Sequence, residues 1–209
     1  MSKAILACSA VLAGSLLLTG CSSSDASSSS PQSPSSTAPE VVTNASVDVV
    51  TGRLDEAGQS DLSAQVTDLM TRYFDAAYLG DFPRSDFSAA FTEFTEGAAA
   101  RAQDDLDLLT SAALSDQIDE ATQTEGNLNL DILSPKNTPA GVTVRWTLDF
   151  TTTGTLESDQ SVTGMFDLTP VDGAWKVFGY SIKGGPMVPL ASAPTTPEIT
   201  LDATTEATP

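Results

Sequence analysis

The chain has 209 residues, with 28 Asp and Glu against 9 Lys and Arg, no histidine, and a formal net charge of −19. A surface so acidic repels phosphate backbones and anionic lipid headgroups, which argues against nucleic acid as a partner and against membrane attachment through a basic patch. The lack of histidine removes imidazole acid–base chemistry and leaves a zinc or copper site without its usual ligand.

Near the start of the chain Lys3 stands in front of the apolar run "AILACSAVLAGSLLLTG". One basic residue, a short apolar core diluted by Ser9, Gly14 and Ser15, and small residues before a break read as a signal peptide over residues 1–20, not as a membrane span. Leu18, Thr19, Gly20 and Cys21 resemble the lipobox of bacterial lipoproteins. The resemblance implies a diacylglyceryl thioether on Cys21, which becomes the first residue of the mature chain, and two acyl chains that hold it to the membrane. Cleavage there removes Lys3 and Cys8, leaving 8 bases against 28 acids, a net charge of −20. With no other cysteine the mature chain has neither a disulfide nor a thiolate metal site. The expected location is the extracytoplasmic face of a bacterial cell membrane.

Residues 21–59, which run on from Cys21 as "SSSDASSSSPQSPSSTAPE", are rich in Ser, Pro and Thr and poor in large apolar residues. They read as a disordered tether, spanning on the order of 35 Å as a flexible coil. Residues 184–209 turn Pro- and Thr-rich again and read as a disordered tail. Between them, residues 60–183 form one domain.

Inside that domain Leu62, Val66, Leu69, Met70, Tyr73, Phe74, Ala77 and Tyr78 follow a 3.6-residue period, predicting a helix capped by Ser60 and ended by Gly80. A second helix is predicted from Ser85, with Phe87, Phe91 and Phe94 inward. A third carries Ala98, Ala102, Leu106, Leu109 and Ala113. After Ala121 the period becomes 2. Leu128–Ile132, Val142–Phe150, Val162–Leu168 and Trp175–Ile182 read as strands, the last two joined by an Asp172-Gly173 turn, giving an antiparallel meander that the helices must cover.

Helices followed by such a sheet, closing with "GAWKVFGYSI", resemble the NTF2-like superfamily, which includes SnoaL-like and ketosteroid-isomerase-like enzymes. The fold the resemblance implies is α+β, with N-terminal helices packed on a curved antiparallel β-sheet in a cone. It also implies two functional expectations. One is a non-catalytic binding or scaffolding module of the cell envelope, whose partner is another envelope protein or a small apolar ligand. The other is an enzyme using a carboxylate and a tyrosine inside the cone.

The candidate pocket residues are Tyr73, Tyr78, Trp146 and Tyr180, with Asp75 and Asp149 as carboxylates. No cofactor is expected and no catalytic set is assigned. Asp104, Asp105 and Asp107 with Asp116, Asp119 and Glu120 lack the spacing of a calcium loop, so no metal site is assigned either. Arg145 and Asp149 lie four apart on one side of a strand. They mark a candidate interface, for a cross-strand ion pair or for a homodimer through that face of the sheet.

Overall fold

The computed structural model describes residues 43–186. Leu18, Thr19, Gly20 and Cys21, with the signal segment, most of the tether and nearly all of the tail, lie outside the described residues. The elements in order are β1 (Thr43–Gly52), α1 (Glu56–Ala77), β2 (Gly80–Asp81), α2 (Glu96–Ala102), α3 (Leu106–Leu109), β3 (Ile118–Ser134), β4 (Gly141–Gly154), β5 (Ser158–Val171) and β6 (Ala174–Gly184).

The expected cone of helices on an antiparallel sheet is not what forms. Among the described residues a six-stranded mixed sheet dominates, in the order β1-β3-β4-β5-β6 with β2 paired to the start of β3, and α3 is only four residues long. The difference comes from β1, which falls inside the stretch read as tether. It pairs parallel with β3 from Thr43 opposite Gly126 to Gly52 opposite Ser134, with a bulge at Asp48 between Val47 and Val49. A strand of the sheet therefore lies before Ser60, at Thr43–Gly52.

Helix α1 starts five residues earlier than predicted, capped by Asp55 and not Ser60. Asp55, in extended backbone, accepts from the Gly58 N–H at 2.8 Å and so satisfies one of the donors left free at a helix start. The predicted helix from Ser85 is a single 3₁₀ turn over Ser88–Phe91, although Phe87, Phe91 and Phe94 are buried as the pattern requires. The predicted third helix breaks after Ala102. There the Asp104 and Asp105 N–H groups bond three residues back, to the Arg101 and Ala102 carbonyls, and adjacent aspartates favour such tightened turns over continued helix.

Strict alternation puts Leu128, Leu130 and Ile132 of β3, Val142, Val144, Trp146, Leu148 and Phe150 of β4, and Val162, Phe166 and Leu168 of β5 on one buried face. The apolar stripe of α1 covers it: Leu62, Val66, Leu69, Met70, Tyr73, Phe74 and Ala77 are all buried. The β5–β6 hairpin turns at Asp172 and Gly173, both with positive φ (50° and 83°), as a two-residue turn matched to strand twist demands.

The edges of the sheet differ. Along β6, the Val177 N–H donates to the Glu93 carbonyl and the Thr95 N–H to the Val177 carbonyl, both at 2.8 Å, and Arg101 caps the Phe178 carbonyl at 3.2 Å. The segment around Phe94 thus runs beside β6 as a short parallel bridge. Among the described residues no backbone partner lies along the outer edge of β1.

Trp146 sits opposite Gly164 on the neighbouring strand. A Cβ at Gly164 would come within 2.5 Å of the indole and 2.8 Å of Ile182. Gly164→Ala is therefore expected to destabilise the domain by about 1–3 kcal/mol through overpacking, read as a lower denaturant midpoint. An unchanged midpoint would mean that the indole moves aside freely.

Candidate functional site

The four pocket candidates do not enclose a cavity together. Tyr73, Tyr78 and Trp146 are at most 2% exposed and pack on one another and on Phe74, Phe150 and Phe166, with ring centroids 4.8–6.3 Å apart. The tilted and edge-on angles are those that aromatic quadrupoles favour. The space between Tyr73, Tyr78 and Trp146 is filled with rings.

The tyrosine hydroxyls are also engaged. Tyr73 donates to the Leu109 carbonyl at 2.7 Å, and Tyr78 to the Leu108 carbonyl at 3.2 Å. Those carbonyls lie at the end of α3, where no further turn of helix is available to take them. Burial, together with the neighbouring phenol, pushes Tyr73 well above the ordinary phenol value, and burial raises Tyr78 as well. These side chains fasten the α3 segment to α1.

Tyr180 lies apart, half-buried on edge strand β6, where its hydroxyl donates to Asp105 Oδ2 at 2.8 Å. Burial first, and then the Asp105 carboxylate, push its phenol up to about 12. This tyrosine–carboxylate pair ties β6 to the loop before α3. Asp75 is exposed on α1, its carboxyl raised by partial desolvation. Among the described residues no group of three or more potential metal ligands converges, so Asp104, Asp105, Asp107, Asp116, Asp119 and Glu120 stay dispersed.

The interface candidates are brought onto one surface but not to each other. Arg145 forks onto Asp131 of β3, with Nη2 3.2 Å from Oδ1 and Nη1 on Oδ2, and Nη2 also reaches Asp48 of β1 at 3.0 Å. The guanidinium holds the Asp131 carboxyl below the ordinary range. Asp149 instead sits opposite Glu125 and Ser161. Sequence reasoning found the ion pair but not its partners, which depend on strand register: Asp131 is diagonal to Arg145 across β3–β4, and Asp48 arrives through the bulge in β1. The outward face of the sheet carries Asp48, Glu125, Asp131, Asp149, Asp159 and Asp167 around Arg145.

An open groove of about 550 Å³ lies elsewhere, between β1 and α1. Ala45 and Val47 of the strand face Glu56, Gln59, Ser60, Ser63, Ala64, Thr67 and Asp68 of the helix. No sequence signal marked it, because the strand that forms one wall was not recognised. Compared with known proteins, the chain matches no family model, no curated protein and no solved structure.

Two outcomes follow from the phenols. Tyr73→Phe strands the buried Leu109 carbonyl and is expected to cost about 1–3 kcal/mol, measured by equilibrium unfolding. All three tyrosines of the protein have raised phenols. A group whose folded pKa is raised adds stability that is complete below its unfolded value, near 10, and is lost as pH climbs through the folded value. Tyrosinate absorbance in the folded protein should therefore lag behind a free phenol and rise together with alkaline unfolding. Ionisation of all three near pH 10 with the fold intact would contradict the geometry.

Proposed function

We propose that this protein is a lipid-anchored lipoprotein of a bacterial cell envelope, held to the extracytoplasmic face of the membrane by acyl chains on Cys21. The folded domain serves there as a non-catalytic binding or scaffolding module. The location rests on the Leu18-Thr19-Gly20-Cys21 sequence behind a signal-like segment. The role of the domain rests chiefly on one observation: its interior is packed with aromatic rings whose hydroxyls are committed to backbone carbonyls. That arrangement supports recognition at the surface over chemistry in a cavity, and it favours a protein partner over a small apolar ligand held inside.

A second copy on the outward sheet face would set six carboxylates against six more around two guanidinium groups, so homodimerisation there is opposed by like charge. A partner of opposite sign fits better.

Replacing the acylated residue tests the location. In a bacterial host the parent is expected in the membrane fraction, carrying labelled palmitate, whereas Cys21→Ala is expected in the soluble fraction without label. A variant that stays with the membrane as firmly as the parent would end the lipoprotein reading.

A further inference from the structure

We propose that the groove between β1 and α1 receives an extended segment of another protein, basic at both ends, which adds to the open edge of β1 as a further strand. This deepens the binding-module reading and rests on it.

Three observations converge on this groove. The two edges of the sheet differ: β6 is bonded at Val177 and Phe178 to Glu93, Thr95 and Arg101, while β1 has no such backbone partner among the described residues. A ten-residue strand with a bare edge is a template for pairing, and proteins normally blunt it. Here the bulge at Asp48 interrupts the edge, but the regular stretch from Thr43 to Val47 precedes it. Arg145 also draws the Asp48 carboxylate to the opposite face of the sheet, leaving the groove side free of it.

The opposite wall leaves room for a chain. Ser60, Ser63, Ala64 and Thr67 of α1 recur at helical spacing and keep side chains short along the groove. Ala45 and Val47 project toward them, so a strand added beside β1 meets alternating small and apolar contacts. Main-chain bonds would supply affinity and alternate side chains selectivity, the pattern of strand addition to a sheet edge.

Charge selects the occupant. Glu56 and Asp68 stand at the two ends of the helical wall. They are twelve positions apart on the helix, about 18 Å along the axis, the reach of roughly six residues in extended form. Lysine or arginine at the ends of such a segment faces both carboxylates. The chain's own tail fits poorly, because its segment Ile199-Thr200-Leu201 is flanked by Glu198 and Asp202. A second copy fits poorly too, since it brings another Glu56 and Asp68.

The test uses the full-length acylated protein in detergent and a fluorescent peptide of about seven residues, alternating valine and threonine between two terminal lysines. Saturable binding is expected, with slowed amide exchange along Thr43–Val47. Glutamate ends, or N-methylation of alternate backbone nitrogens, should weaken it by about tenfold or more. Ala64→Gln keeps a good helix former but fills the groove, and should abolish binding while leaving the melting temperature unchanged. The double variant Glu56→Gln, Asp68→Asn should bind severalfold more weakly and lose its salt dependence.

The assignment is overturned if the peptide does not bind, if Ala64→Gln binds as the parent does, or if protection maps away from β1. It is equally overturned if binding appears only after truncation beyond Pro186, which would make the tail the occupant. Concentration-dependent protection of β1 without peptide would make a second copy the occupant. Membrane fractionation of Cys21→Ala is read separately, so failure of peptide binding with anchoring intact removes the groove assignment alone.

Discussion

The domain depends on an indole that lies where the neighbouring strand has no side chain. Trp146 is almost completely buried, is bracketed by Tyr73, Phe74, Tyr78 and Phe166, and crosses β5 at Gly164. Burying a large apolar side chain contributes about 1.5–3 kcal/mol, and the gain here is secured only because sheet and helix close on the same ring system. The position of α1 against β4 follows from that contact. So does the reach of Tyr73 and Tyr78 to the carbonyls of Leu109 and Leu108, which seats the irregular segment between α2 and β3.

Seen from that centre, the molecule divides its polar resources by place. Interior hydroxyls satisfy backbone groups that would otherwise be buried and unpaired, which is a structural duty. Exterior charge is in excess and arranged in short networks. Glu93 accepts from Lys176 at 2.9 Å and from Arg72 at 3.1 Å, and these bonds hold its carboxyl below the ordinary range. Arg145 links three strands on the other face through Asp131 and Asp48. Such exposed pairs add little to overall stability. The Arg145–Asp48 pair also fixes which way the residue in the β1 bulge points.

The most regular elements were the most legible in the sequence. The 3.6-residue stripe from Leu62 to Tyr78 and the alternation from Val142 to Phe150 each have one possible buried face, and both occupy it. Strand β1 was not legible, and with it went the fold class. "TNASVDVVTG" has only Ala45, Val47 and Val50 on its inward side, adjoins Ser- and Pro-rich sequence, and finds its partner 83 residues later, at Gly126 for Thr43. Parallel pairing leaves no local turn signature to betray it. The helix after Ser85 and the continuous third helix failed for a related reason. Buried positions at helical spacing require only that those residues point inward, which a 3₁₀ turn and two short segments do equally well. For the site, the alternating pattern marked Arg145 as outward, while its partners needed the register and the bulge. The helical period marks Tyr73 and Tyr78 as part of the apolar stripe, but gives no sign of their hydroxyl acceptors, the Leu109 and Leu108 carbonyls at the end of the short α3.

The parallel pairing of β1 also carries a kinetic consequence. A chain is made from its N-terminus, so β1 is the first described element to be synthesised, yet its partner β3 follows only after α1 and the whole irregular segment. Closing so long a loop is among the slower steps of folding a sheet. For that interval a valine-bearing strand has both edges unpaired, a template for pairing with other chains until β3 arrives.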